Sequence, residues 1–195
     1  MLVRNRRIYE QVSGALGKLG VGLGLTPNFW TMTSLVVSVG AAAFLALQMW
    51  WWALGAMAVM AFFDVLDGAT ARAGNLSTEF GAVLDPVVDR YAELFISGGL
   101  LLSGLVAPVW VLFGYSGALM ASYVRGKIES MTDVKANVGL AGRQEKAYIL
   151  IAGIVVHMLN IGPGAIQWAM IVMGIVSHIT AVQRLLHLRK MKAGA

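Results

Sequence analysis

Three long stretches of this 195-residue chain contain no Asp, Glu, Lys or Arg: Leu19 to Phe63, Leu94 to Val124 and Ala147 to Gln183. A helix that crosses a bilayer needs about 20 mostly apolar residues, so each stretch has room for one or two spans. With a mean hydropathy of +0.72 and 13% charged residues, the chain carries more apolar surface than one soluble core of this size can hide. No polar linker interrupts it, so residues 1–195 read as a single membrane domain. The formal charge of +5 then reads as loops facing an anionic leaflet rather than as a nucleic-acid surface. The absence of cysteine excludes a disulfide framework and thiolate metal sites.

The expected fold is an all-α integral membrane bundle of six transmembrane helices over residues 29–187, preceded by an amphipathic helix at the interface over residues 1–19. In that first segment Ile8, Val12, Ala15, Leu16 and Leu19 recur at helical spacing opposite basic residues. Arg4, Arg6 and Arg7 resemble the start of a cleavable leader, but the apolar run that follows comes late and is long enough to span. The glycines from Gly14 to Gly24 are expected to mark a bend. Asn28 is the expected cap of the first span, at about 29–47. The following spans are expected near 51–72, 79–103, 108–130 and 144–160, and the last ends near His187. A polar loop at 131–143 and turns at Trp50, Gly104 and Gly162 connect them. Those three turns carry no Lys or Arg, whereas the opposite ends hold Arg72, Lys135, Arg143, Lys146, Arg189 and Lys190. The positive-inside rule therefore expects a multi-pass protein of the cell membrane with both termini and the acidic residues on the cytoplasmic side.

The acids are the costly part of such a chain. An Asp at the centre of a span costs roughly 3 kcal/mol on insertion scales. Asp64 and Asp67 fall in the last turns of the second span, and Asp85, Asp89 and Glu93 in the first turns of the third. At helical spacing Asp64, Asp67, Gly68 and Ala71 share one stripe, and Gly81, Asp85 and Asp89 share another. Each carboxylate pair is thus accompanied by residues small enough to let a bulky ligand reach the backbone. Four facing carboxylates repel unless cations lie among them. All-oxygen ligands select hard ions, Mg²⁺ or Mn²⁺, and such a site typically holds two ions that clamp a phosphoryl group. The competing readings are packing pairs with Arg72, Arg90 and Arg125, and a proton or cation relay in a membrane cation transporter. His157, His178 and His187 are isolated and read as packing or interfacial residues.

Taken together, Asp64-Val-Leu-Asp67-Gly68-Ala-Thr-Ala71-Arg72, eight residues, then Gly81-xxx-Asp85-xxx-Asp89 resemble the signature of the CDP-alcohol phosphotransferase family, DxxDGxxAR-x8-GxxxDxxxD, at every fixed position. The resemblance implies an enzyme of phospholipid biosynthesis that displaces CMP from a CDP-linked lipid with an alcohol. It implies metal ligation by Asp64, Asp67, Asp85 and Asp89, with Asp89 as the candidate base for the acceptor hydroxyl. It further implies a CDP-binding set of Asp67, Gly68, Ala71, Arg72, Gly81 and Thr31, and a homodimer.

Ser122-Tyr123-Val124-Arg125-Gly126-Lys127-Ile128-Glu129 is similar to the SYxRAxxE segment of the phosphatidylinositol-phosphate and archaetidylinositol-phosphate synthase branch, with Gly126 in place of the usual Ala. Gly142-Arg143-Gln144-Glu145-Lys146 stands where that branch carries an Arg-rich segment, with Lys146 in place of a second Arg. Arg125, Lys127, Lys135 and Arg143 are therefore the expected acceptor-binding residues, and a basic pocket suits an acceptor that is itself phosphorylated. Inositol phosphate is the first choice; glycerol 3-phosphate, the acceptor of a phosphatidylglycerophosphate synthase, is the second. Read instead as topology signals, the same residues say nothing about the acceptor. Whether the lipid is diacyl or an archaeal ether lipid is open at this point.

Overall fold

A computed structural model describes residues 14–193. All regular elements among the described residues are helical: α1, helical over 14–22, then α2 (Pro27–Ala46), α3 (Trp50–Gly74), α4 (Glu79–Leu102), α5 (Pro108–Met131), α6 (Arg143–Met158) and α7 (Ala165–Ala193). The expected helix at 1–19 lies outside the described residues for 1–13; its remainder is helical.

Local chemistry sets the ends. Thr26, not Asn28, caps α2: its Oγ1 accepts from Phe29 N at 3.3 Å. The reason is Pro27, whose missing N–H suits the first helical position and so moves the cap one residue ahead of it. α3 ends at Asn75, held in the left-handed region at φ 49°, with its N–H on Ala71 O. Three residues on, Thr78 Oγ1 accepts from Gly81 N at 3.0 Å and starts α4.

The chain divides into two compact units between Gly99 and Leu100, within α4. In the first, α2 packs along α3, with the rings of Trp30 and Phe63 stacked at 5.6 Å. α1 lies on α3 through Gly17 and Gly20, where a Cβ would collide with Ala69 and with Thr70. These two glycines are therefore a close-packing face rather than the expected bend; the turn is left to Gly24, at φ +69°. In the second unit, α5 and α7 approach through Gly114, Gly117 and Gly174, and α6 meets α7 where Gly153 faces Ala169. Small residues at helix contacts are what lets helices associate in lipid, where burial of apolar surface gives no drive. His178 packs in this contact, 5.0 Å from the Phe113 ring.

Among the described residues three helices are long and apolar enough to cross a membrane: Pro27–Ala46, Trp50–Gly74 and Ala165–Met191. At the head of α3, Trp51 and Trp52 stand 79% and 65% exposed, as an aromatic belt requires. The other helices meet that standard less well for reasons visible in their residues. α4 carries Glu79, Asp85, Asp89, Arg90 and Glu93 within its first 15 residues. α6 has 16 residues, about 24 Å of helix, short of a hydrocarbon core of about 30 Å.

Candidate metal centre

Asp64 and Asp67 sit one turn apart on α3, and Asp85 on α4 is brought beside them by the turn that Asn75 and Thr78 shape. One oxygen from each of the three carboxylates falls within 4.8 Å of the others. At that separation each pair of full charges repels by roughly 3 kcal/mol at an effective dielectric near 20. Asp67 is the buried member, at 8% exposure; Asp64 and Asp85 are half-buried. Thr31 of α2 donates its hydroxyl to Asp67 Oδ2 at 2.7 Å. That bond orients the buried carboxylate, the usual task of a partner behind a metal ligand.

The donor set is three carboxylates with no nitrogen or sulfur ligand among them, and it fits Mg²⁺ or Mn²⁺, which take oxygen ligands. Asp89 lies one turn beyond Asp85, outside the group of three. Its Oδ2 is 3.9 Å from Arg90 Nη2, which also reaches Glu93 Oε1 at 3.0 Å. Glu93 thus pairs with Arg90. The small residues of the motif stand where other side chains approach the backbone closely. A Cβ on Gly68 would come within 3.1 Å of the Arg72 guanidinium, and one on Gly81 within 3.0 Å of Asn28 Oδ1. Arg72 is exposed and folded back over Gly68, at the foot of the carboxylate stripe; Ala71 is half-buried.

The residues expected to bind an acceptor belong to the second unit. Arg125, Lys127, Lys135 and Arg143 are all exposed. Arg125 Nε donates to Glu129 Oε1 at 3.2 Å. Two other cations of this unit are buried, and the sequence did not single out either as a site residue. Lys146, at 5% exposure, donates from Nζ to Ala118 O at 3.4 Å; Arg184, at 6%, donates to Val138 O at 3.0 Å and Ala121 O at 2.6 Å. A signal existed for Arg184: it is the first charge after the stretch Ala147 to Gln183, in the body of the last helix rather than in its basic tail.

Residues 24–182 match the family described as CDP-alcohol phosphatidyltransferase. The archaetidylinositol phosphate synthase of Pyrococcus horikoshii is 32% identical over 190 residues, covering 97% of this chain and 97% of that one. A crystal structure of Mycobacterium tuberculosis phosphatidylinositol phosphate synthase with CDP-DAG bound superposes with a TM-score of 0.79 at 26% identity, covering 90% of this chain and 92% of that one. A second crystal structure of the mycobacterial enzyme, in complex with manganese and citrate, gives a TM-score of 0.78 at 27% identity, over 89% of this chain and 87% of that one. With the three carboxylates meeting on the motif that the sequence marks, this chain is a transferase and belongs to the CDP-alcohol phosphatidyltransferase family.

Proposed function

We propose that the protein transfers a phosphatidyl-type group from a CDP-linked lipid to inositol phosphate and releases CMP. The observation that carries this reading is the meeting of Asp64, Asp67 and Asp85 within 4.8 Å at the motif. The names of the similar synthases from Pyrococcus horikoshii and Mycobacterium tuberculosis support the acceptor.

In this reading a divalent metal, and with all four aspartates two of them, supplies positive charge that stabilises the diphosphate and the departing CMP. Asp64, Asp67 and Asp85 hold it, and Thr31 keeps Asp67 in place. Gly68, Ala71 and Gly81 leave room for the cytidine nucleotide, and Arg72 reaches from its position over Gly68 to the diphosphate. The acceptor hydroxyl attacks the lipid phosphorus, the anhydride bond to CMP breaks, and the hydroxyl proton passes to the Asp89 carboxylate. Arg125, Lys127, Lys135 and Arg143 meet the phosphate that the acceptor already carries.

The membrane arrangement belongs to the same reading. Six spans place both termini and the aspartates on the cytoplasmic face, supported by the one-sided placement of Lys and Arg. A homodimer enters by family resemblance alone. The test is CMP release by purified enzyme given CDP-lipid and either inositol phosphate or glycerol 3-phosphate. Turnover with glycerol 3-phosphate and none with inositol phosphate ends the acceptor assignment. Cation flux in liposomes without CMP release ends the enzymatic one.

A further inference from the structure

The segment 132–142 between α5 and α6 has no regular structure, and a connection of this length is ordinarily a loose surface loop. Here its backbone is fastened along its length. Ala136 N donates to Glu129 Oε1 at 3.3 Å, the same oxygen that accepts from Arg125 Nε. Val138 O accepts from the buried Arg184, whose other bond goes to Ala121 O in α5. Leu140 N donates to Gln183 Oε1 at 3.0 Å, and Ala141 N to Thr180 Oγ1 at 3.1 Å. Thr180, Gln183 and Arg184 follow at three and four residues along α7 and so present one face to the loop. Gly139, at φ +130°, lies so close to Thr180 that a Cβ would collide with it. Beneath this, Ala136 is fully buried in a cluster with Ala121, Val124, Ile128 and Ala181.

The fastened segment carries or adjoins three of the exposed cations. Lys135 precedes Ala136, Arg143 follows two residues after the Thr180 bond, and Arg125 shares Glu129 with the loop. We propose that α7, through Thr180, Gln183 and Arg184, is a clasp that sets the spacing of Arg125, Lys135 and Arg143 for the phosphate of the acceptor. This rests on the acceptor reading above. Its physical basis is preorganisation: cations on a loose loop must be ordered at the moment of binding, and that cost is subtracted from affinity. The clasp residues are positioning residues. Their loss weakens acceptor binding and leaves the CDP-lipid side alone, because the three clustered aspartates stand on α3 and α4.

The experiment is the double variant Thr180→Val/Gln183→Leu in the full chain, with each single variant prepared in case the pair fails to fold. Backbone hydrogen exchange over 136–142 and steady-state CMP release are both measured, using whichever phosphorylated alcohol the wild-type enzyme accepts. Loop amides are expected to exchange about tenfold faster. The KM for the acceptor is expected to rise about fivefold or more, the size of one or two lost hydrogen bonds. The KM for CDP-lipid stays within about twofold, and Thr180→Ser, which keeps the hydroxyl, restores the acceptor KM. Unchanged exchange, or both KM values rising together, overturns the clasp. Wild-type enzyme that uses glycerol 3-phosphate and not inositol phosphate refutes the acceptor identity while leaving the clasp measurable with the accepted alcohol. Turnover only with unphosphorylated alcohols overturns both.

Discussion

The two units handle charge in opposite ways. In the first, Asp64, Asp67 and Asp85 bring like charges within 4.8 Å of one another, a donor set that fits a hard divalent cation. In the second, the buried cations Lys146 and Arg184 reach backbone carbonyls of the protein itself. The lesson is that burial of charge does not by itself mark a binding site. A cluster of three like charges offers a donor set to a cation, whereas a guanidinium between two carbonyls holds chain segments together. Arg suits the second task because its planar fork donates in several directions from one buried position.

The largest effect should come from breaking the acidic side. Asp64→Asn or Asp67→Asn should lower CMP release by about a thousandfold or more, since each removes charge from the metal site. An enzyme retaining a tenth of its activity in either variant would mean the carboxylates do not hold the essential ion. Chelation should silence the native enzyme to the same degree, with recovery on adding Mg²⁺ or Mn²⁺, and Asp67→Asn should no longer recover.

On the basic side the loss should appear first as stability. Arg184→Met leaves the loop carbonyl of Val138 without its donor, a cost of about 1–3 kcal/mol, and removes the second bond on the helical carbonyl of Ala121. In a chain of this length that corresponds to a fall in unfolding midpoint of roughly 5 °C or more in detergent. A variant with an unchanged midpoint would refute the structural role of this cation.

Thr31→Val tests the support behind the metal ligands rather than the ligands themselves. Loss of its 2.7 Å bond to Asp67 should raise the Mn²⁺ concentration needed for half-maximal activity by about tenfold, with full turnover regained at saturating metal. A fall in turnover that added metal does not repair would show a different role. The smallest effect is expected for Glu129→Gln. The Arg125–Glu129 pair is exposed, and such pairs contribute about 0–1 kcal/mol, so the KM for the acceptor should move by about threefold at most.

Much of the carboxylate centre was legible because its geometry is local. Asp64 and Asp67 are fixed on one stripe by helical periodicity, and the short connection from Asn75 to Thr78 limits where Asp85 can go. The helix limits were close for the same reason: charge-free runs, Pro108 and the Gly162-Pro163-Gly164 turn are all read from neighbours in sequence. Asn28 was misread as the cap because the preference for Pro at the first helical position outweighs the choice among capping side chains. Gly17 and Gly20 were misread because nothing local shows that α3 will press against them.

From its own residue order the chain determined that it forms apolar helices and that aspartates share one stripe at the end of each of two of them, because both follow from spacing along a helix. Only the tertiary structure decided what the buried cations do. The carbonyls that accept from Arg184 lie 46 and 63 residues away in the chain, and a hydrogen bond across that separation exists only once packing has brought its two ends together.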